Sequence, residues 1–313
     1  MRRAEGHSMV GLVVAIALAA TASAQQRPRA SRGAPTVAQP DMLTTQVLLD
    51  RAGFSPGEID GLGGTNTQRA TEAFEREKGR PIGDLVKAAT MPPTVRYMVT
   101  AEDAEAPIVN TIPDDMMEKA KLKRLDYTSH LEMIAERFHA SPALLRRLNP
   151  RLALDQGAEV VVPNVEVVSA AESKPLADIV VRVSKQSSAL TVTDGAGTVL
   201  MYAPVTSGSQ HDPLPLGQWT VTGVSRNPTF HYNPDLFWDA EPSHAKATIP
   251  PGPNGPVGVV WIDISKPHYG IHGTPEPGSV GHTTSHGCVR LTNWDALRLA
   301  AMVGKGTKVE FVE

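Results

Sequence analysis

One cysteine occurs in the whole chain, Cys288, and it sits in Ser285-His286-Gly287-Cys288-Val289-Arg290-Leu291. Sixteen positions upstream of the sulfur stands His272, in Tyr269-Gly270-Ile271-His272-Gly273-Thr274. A thiol attacks an acyl carbon well only as a thiolate. It needs a base to take its proton, and a departing amine needs a proton in return. One imidazole can do both in turn. His286, two residues from the sulfur, would point the same way in an extended segment but is poorly placed for a direct hydrogen bond. His272 ends a separate strand-like run and can approach across a sheet, so it is the expected base and acid. Gly287 would leave room for a substrate carbonyl beside the thiol. The amides of Gly287 and Cys288 are candidates for stabilising a tetrahedral oxyanion. Arg290 is a fixed cation suited to a bidentate contact with a substrate carboxylate. Tyr269 and Trp238 are candidate pocket walls. A zinc set of His272, His282, His286 and Cys288 competes with this reading. Its spacing matches no common zinc pattern and leaves the glycines without a purpose, so neither metal nor cofactor is expected.

These residues must be held by a scaffold, and from residue 177 onward the pattern is one of short β segments. Residues 179–183, 190–193, 199–202, 218–224, 257–264, 269–272 and 308–312 read as strands. Asp194-Gly195-Ala196-Gly197 reads as a hairpin turn. Thr292-Asn293-Trp294-Asp295 has the form of a capping box and should open a late helix running to about Val303. A mainly β catalytic domain of the sandwich or barrel kind, with one late helix, is the expected architecture. Residues 225–256, rich in Pro, Asn and Gly, are a candidate substrate lid.

Upstream, residues 41–90 read as a small helical domain. Leu43, Val47 and Leu48 share one helical face, and Thr65-Asn66-Thr67-Gln68 looks like a capping box for a second helix that turns Ala70, Ala73 and Phe74 inward. Residues 100–120 read as a linker with Pro107 and Pro113. Residues 122–165 read as β-α-α-β. A strand near residues 125–127 is followed by helices opened by Ser129-His130-Leu131-Glu132 and by Ser141-Pro142, and then by a strand over 158–162.

The N-terminus has Arg2 and Arg3, an apolar run over residues 9–20, and then Ala22-Ser23-Ala24. That is the layout of a secretory signal peptide cleaved after Ala24. Residues 25–40 read as a flexible tether. An exported protein meets conditions in which disulfides form, so a solitary cysteine is either an inert apolar filler or a thiol kept for its reactivity. The 313 residues carry a formal charge of -3 and 5% aromatic residues, which does not suggest a nucleic-acid partner.

Three resemblances sharpen the reading. Asp60-Gly61, Gly64, Thr67, Ala70 and Phe74 resemble the peptidoglycan-binding-like three-helix domain, although Gly63 and Glu75 depart from its usual residues. The β-α-α-β order of 122–165 resembles a LysM domain, a glycan-binding module, with Thr128-Ser129-His130 in place of the usual Gly-Asp-Thr. Residues 175–313 are similar to the L,D-transpeptidase catalytic domain, also called the YkuD domain. That likeness rests on His272-Gly273-Thr274, on Ser285-His286-Gly287-Cys288-Val289-Arg290 and on the closing helix and strand. Pro215-Leu216-Gly217 matches the family's Thr-Pro-x-Gly turn, with Leu214 replacing the Thr.

The resemblance implies that Cys288 attacks the peptide bond after the third residue of a peptidoglycan tetrapeptide stem, usually diaminopimelate. D-alanine is released, and the thioester passes to an amine on a second stem or on an attached lipoprotein. His272 would carry the proton and the carbonyl of Gly273 would orient its ring. Ser285 and His286 would line the site, and Arg290 would support the substrate. Inhibition by carbapenems is implied as well. Two alternatives stay open from sequence: an L,D-carboxypeptidase with water as acceptor, and a non-catalytic protein whose modules bind wall peptidoglycan and glycan. The expected location is the periplasm or cell envelope.

Overall fold

The computed structural model describes residues 40–168 and 174–313. The expected signal peptide lies outside the described residues, as does the tether apart from Pro40. Among the described residues, no helix is long and apolar enough to cross a membrane.

Three helices form the first unit: α1 (Pro40–Arg51), α2 (Thr65–Lys78) and α3 (Ile82–Ala88). α1 buries more than one face. Leu43 and Val47 join the core of the following unit, while Leu49, and not the expected Leu48, packs with Phe54, Phe74 and Tyr202. The expected capping box at the start of α2 does not form. The N-cap is Gly64, with no side-chain bond. The polar groups of that turn are used between elements instead: Gln46 donates to Thr67 Oγ1 at 3.1 Å, and Asn66 donates to the Val280 carbonyl at 2.8 Å.

The second unit runs β1 (Thr94–Met98), α4 (Ala101–Glu105), α5 (Met116–Lys119), α6 (His130–Arg137), α7 (Pro142–Leu148) and β2 (Glu159–Pro163). β1 pairs antiparallel with β2, Thr94 opposite Pro163. Two expectations are corrected here. Residues 125–127 form no strand, because their backbone bonds elsewhere: the Leu125 amide donates to the Pro251 carbonyl and its own carbonyl accepts from Asn254. Residues 100–120 are not a plain linker. Thr100 and Asp103 cap α4 reciprocally, and buried Asp103 pairs with Arg137 at 2.6 Å. The caps expected at Ser129 and Ser141 do form.

The third unit is mainly β, as expected. Its strands are β3 (Val180–Ser184), β4 (Ala189–Thr193), β5 (Val199–Pro204), β6 (Thr206–Ser207), β7 (Gly217–Arg226), β8 (Phe230–Tyr232), β9 (Ala247–Ile249), β10 (Val260–Ile264), β11 (Gly270–His272), β12 (Val289–Arg290) and β13 (Lys308–Val312). The late helix is α8 (Asn293–Met302), N-capped by Thr292. One sheet has the order β5-β4-β3-β13-β7-β10-β11-β12-β6. β7 is the hinge of that sheet. Its first half pairs with β13 and its second half with β10. A single apolar cluster joins both halves, with Val181, Leu190 and Met201 from one, Ile262, Ile271 and Val289 from the other, and Leu299 of α8. Alternating burial along β3 shows why these residues make strands: one side of the pleat is apolar, the other polar.

β11 and β12 are parallel neighbours. Parallel strands cannot be joined by a tight hairpin. The crossover between them, residues 273–288, carries Ser285, His286 and Gly287. Much of the expected lid is a hairpin, β8 with β9, with its own small core. There Tyr232 and Ile249 pack with Leu125, Met116 and Met117, so α5 buttresses the flap.

Candidate active site

The register of β11 against β12 builds the site. Ile271 lies opposite Val289, and His272 opposite Arg290. Cys288, one residue before β12, continues that register towards Gly270. Residues two apart on a strand share a face. His272, Arg290 and Cys288 are thereby brought to one surface, and all three line a cavity of about 1090 Å³.

His272 is buried and its orientation is set on two sides. Its Nδ1 lies 2.7 Å from the carbonyl of Gly273. The tautomer that satisfies this contact puts the proton on Nδ1 and leaves Nε2 as a free acceptor. On the other side the ring stacks on Trp261, centroids 5.4 Å apart, because Trp261 is its direct partner across β10–β11. Gly270 makes room for that indole: a Cβ there would lie 2.5 Å from Trp261. Burial lowers the His272 pKa to about 4, with the positive charge of Arg290 adding to the shift and the Gly273 carbonyl opposing it.

Cys288 is shifted the other way. Burial raises its thiol above the ordinary value, against the pull of the Gly270 amide and of Arg290. The thiol donates to the carbonyl of His268 at 3.8 Å. His268 is a non-glycine residue at φ +67, a conformation that costs free energy and tends to cluster at working sites. With the thiol raised and the imidazole lowered, both groups on this cavity wall are neutral at rest. Burial also lowers the Arg290 guanidinium, offset by the sulfur of Cys288 once ionised and by Glu276.

The neighbouring residues hold the frame. Ser285 is buried, donates to the Cys288 carbonyl at 2.6 Å and accepts from the Gly208 amide at 2.8 Å. It therefore ties the crossover to the segment after β6. His286 turns to the flap, with Nε2 2.9 Å from Asp239 and its ring edge-on to Phe237 at 5.2 Å. Gly287 does not leave space for substrate on its Cβ side. It sits at φ +96, and a Cβ would lie 2.5 Å from the Tyr269 ring. Its glycine is required by the turn and by that ring. Tyr269 lines the cavity, whereas Trp238 is 60% exposed and stacks on His211. His282 lines a different, smaller pocket against the helical unit.

Sequence reasoning missed His268, Trp261, Asp239 and Asp212, all of which line the cavity. Trp261 was legible in principle, since a strand ending at His272 needs a cross-strand partner. A carbonyl aimed by a left-handed histidine leaves no mark in composition.

The L,D-transpeptidase catalytic domain family, YkuD, matches residues 178–311. A Bacillus subtilis (strain 168) protein named "Putative L,D-transpeptidase YkuD" is 30% identical over 181 residues, 57% of this chain and 91% of the relative. An Escherichia coli (strain K12) protein named "Probable L,D-transpeptidase YbiS" is 33% identical over 125 residues, 38% of this chain and 39% of that one. Among solved structures, L,D-transpeptidase 3 from Mycobacterium tuberculosis, in complex with a faropenem-derived adduct, aligns at a TM-score of 0.36 and 18% identity. That alignment covers 52% of this chain and 76% of the other.

Proposed function

Because the chain belongs to the L,D-transpeptidase (YkuD) family, we propose that it cleaves the bond between the third residue and D-alanine of a peptidoglycan tetrapeptide stem, through a thioester on Cys288, and passes the acyl group to an amine. The observation that carries this reading is the neutral pair on one face of two adjacent parallel strands: Cys288, and His272 with Nδ1 tied to the Gly273 carbonyl.

The chemistry follows from that pairing. A buried imidazole whose pKa has fallen to about 4 is unprotonated at neutral pH and can accept a proton at Nε2. It takes the thiol proton as sulfur attacks the acyl carbon, so no isolated thiolate need persist in a buried site. The amides of Gly287 and Cys288 are proposed to meet the oxyanion. The C–N bond then breaks, and D-alanine leaves with the proton from Nε2. The acceptor amine attacks the thioester, its proton passes to His272 and then to sulfur, and the C–S bond breaks. Arg290, beside the sulfur, suits a stem carboxylate. Ser285 is a positioning residue that holds the Cys288 backbone.

Arg2, Arg3, the apolar run and Ala22-Ser23-Ala24 support export to the cell envelope. The two upstream units are proposed to bind wall glycan. The test is mass spectrometry of muropeptides incubated with the purified full chain. New 3→3 crosslinked dimers with wild type and none with Cys288→Ala are the expected result. Tripeptides alone would turn the reading to a carboxypeptidase, and unchanged products with Cys288→Ala would defeat it.

A further inference from the structure

The cavity that holds Cys288 is lined by charges of both signs, and they are unevenly partnered. Arg290 stands beside the sulfur, and Lys266 lies over the rings of Trp219 and Tyr269 at 5.6 and 5.8 Å. Of the acidic groups, Glu241 is exposed to solvent and Asp239 is already engaged by His286 at 2.9 Å. Asp212 is not: its Oδ2 is buried and has no hydrogen-bond partner among the described residues.

The direction of Asp212 is set by its own turn. Its amide donates to Ser209 Oγ at 3.0 Å, and its carbonyl accepts from the Ser209 amide at 2.8 Å. The preceding residue, His211, stacks on Trp238 at 4.3 Å and so joins this turn to the flap. Asp212 lines the same cavity as Tyr269, His272 and Cys288.

A desolvated carboxylate oxygen without a donor is unfavourable, and such atoms call for an explanation. An alkylammonium group answers it best, with three N–H donors and a positive charge. A substrate carboxylate would be repelled here and drawn to Arg290. The two ends of the reaction are thus sorted by charge, the acyl donor towards the cation and the acceptor towards the anion.

We propose that Asp212 binds the ammonium group of the acyl acceptor and so favours an amine over water at the thioester. The proposal rests on the function proposed above and names its acceptor class, a primary ammonium such as that on the side chain of a second diamino-acid stem. Atoms and protons balance. The bound ammonium releases one proton to solvent and its nitrogen attacks the thioester carbonyl. A second proton passes by way of His272 to the departing sulfur. The C–S bond is replaced by an amide C–N bond, and the thiol is regenerated.

The test uses the full chain, a purified tetrapeptide donor, and two acceptors at neutral pH: a primary alkylammonium and hydroxylamine, which is uncharged there. For Asp212→Asn, the ratio of amide product to hydrolysed tripeptide should fall about tenfold with the ammonium, through a higher KM for that acceptor, and change less than about twofold with hydroxylamine. Asp212→Glu should recover part of the loss. An equal fall with both acceptors would show a merely structural role and overturn the proposal, as would an unchanged ratio with the ammonium. Intact-mass detection of the donor thioester on wild-type Cys288 reports separately on the function itself. If no thioester forms there, it is that reading which fails.

Discussion

Trp261 and His272 face each other across the β10–β11 ladder, their rings 19° from parallel. The indole is part of what keeps water from the imidazole, and burial is the main cause of its low pKa of about 4. The acid limb of kcat/KM should therefore lie near pH 4 and not near the ordinary value of 6.5. Trp261→Ala should move it upward. Between these two values the unfolded chain binds the proton and the native site does not. His272 thus lowers stability as pH falls through that window, by roughly 3 kcal/mol in all. Urea titrations of wild type and His272→Gln at pH 7 and pH 4.5 check this, since the glutamine variant should lose less stability on acidification. An acid limb at 6.5 in wild type would contradict the burial argument.

Gly287→Ala tests the link between Tyr269 and the catalytic turn. The added methyl would meet the Tyr269 ring at 2.5 Å, on a backbone at φ +96. Left-handed backbone at a non-glycine residue costs about 1–3 kcal/mol, and displacing the ring adds to that. Melting temperature should fall by several degrees, and the rate of thioester formation should fall at least about tenfold, because the turn also carries Cys288. Intact-mass kinetics with a carbapenem provide the readout. A variant that acylates at the wild-type rate would mean that this turn does not set the position of the sulfur.

The contact between Asp239 and His286 is partly exposed on both sides, 45% and 29% for the side chains. Pairs of that kind contribute about 0–1 kcal/mol. Asp239→Ala should therefore leave the melting temperature within about 2 °C of wild type. It should nevertheless loosen the tip of the flap over the crossover and raise KM for the donor stem more than it lowers kcat. A fall in kcat alone, at constant KM, would argue that the flap has no part in binding.

Legibility from sequence followed how local each interaction is. The strands of the third unit alternate in burial, and the helix at Thr292 has its cap within one turn, so both were readable. The Cys288 and His272 motifs were readable because reactive residue types are rare and their glycine spacing is specific. β1 escaped because its partner β2 is far along the chain and its own burial alternation is weak. Residues 125–127 look like a strand, but the Leu125 backbone bonds to Pro251 and Asn254 and the Tyr127 carbonyl to Val109, which no local pattern encodes. The role of Gly287 was misjudged for the same reason: the ring it accommodates belongs to Tyr269, in another segment.

Asp50 of α1 joins the three units at one buried point. It lies 3.0 Å from His139 of the second unit and 3.2 Å from Arg298 of α8. Burial by itself would raise its carboxyl, but His139 and Arg298 outweigh that and hold it at about 2. Its contribution is thus present above about pH 4 and is lost as pH falls towards 2. Removing one member of a buried ionic cluster strands the others, at a cost of about 3–5 kcal/mol. Asp50→Ala should lower the urea midpoint accordingly. It should also weaken the coupling between units, because α1, the end of α6 and α8 all meet there. In wild type, far-ultraviolet circular dichroism and tryptophan fluorescence, to which Trp294 stacked on His139 contributes with the other three tryptophans, should report one shared transition. In Asp50→Ala the fluorescence change should come at lower urea than the loss of secondary structure. Coincident, unshifted transitions in both proteins would show that the three units are held together by their apolar contacts alone.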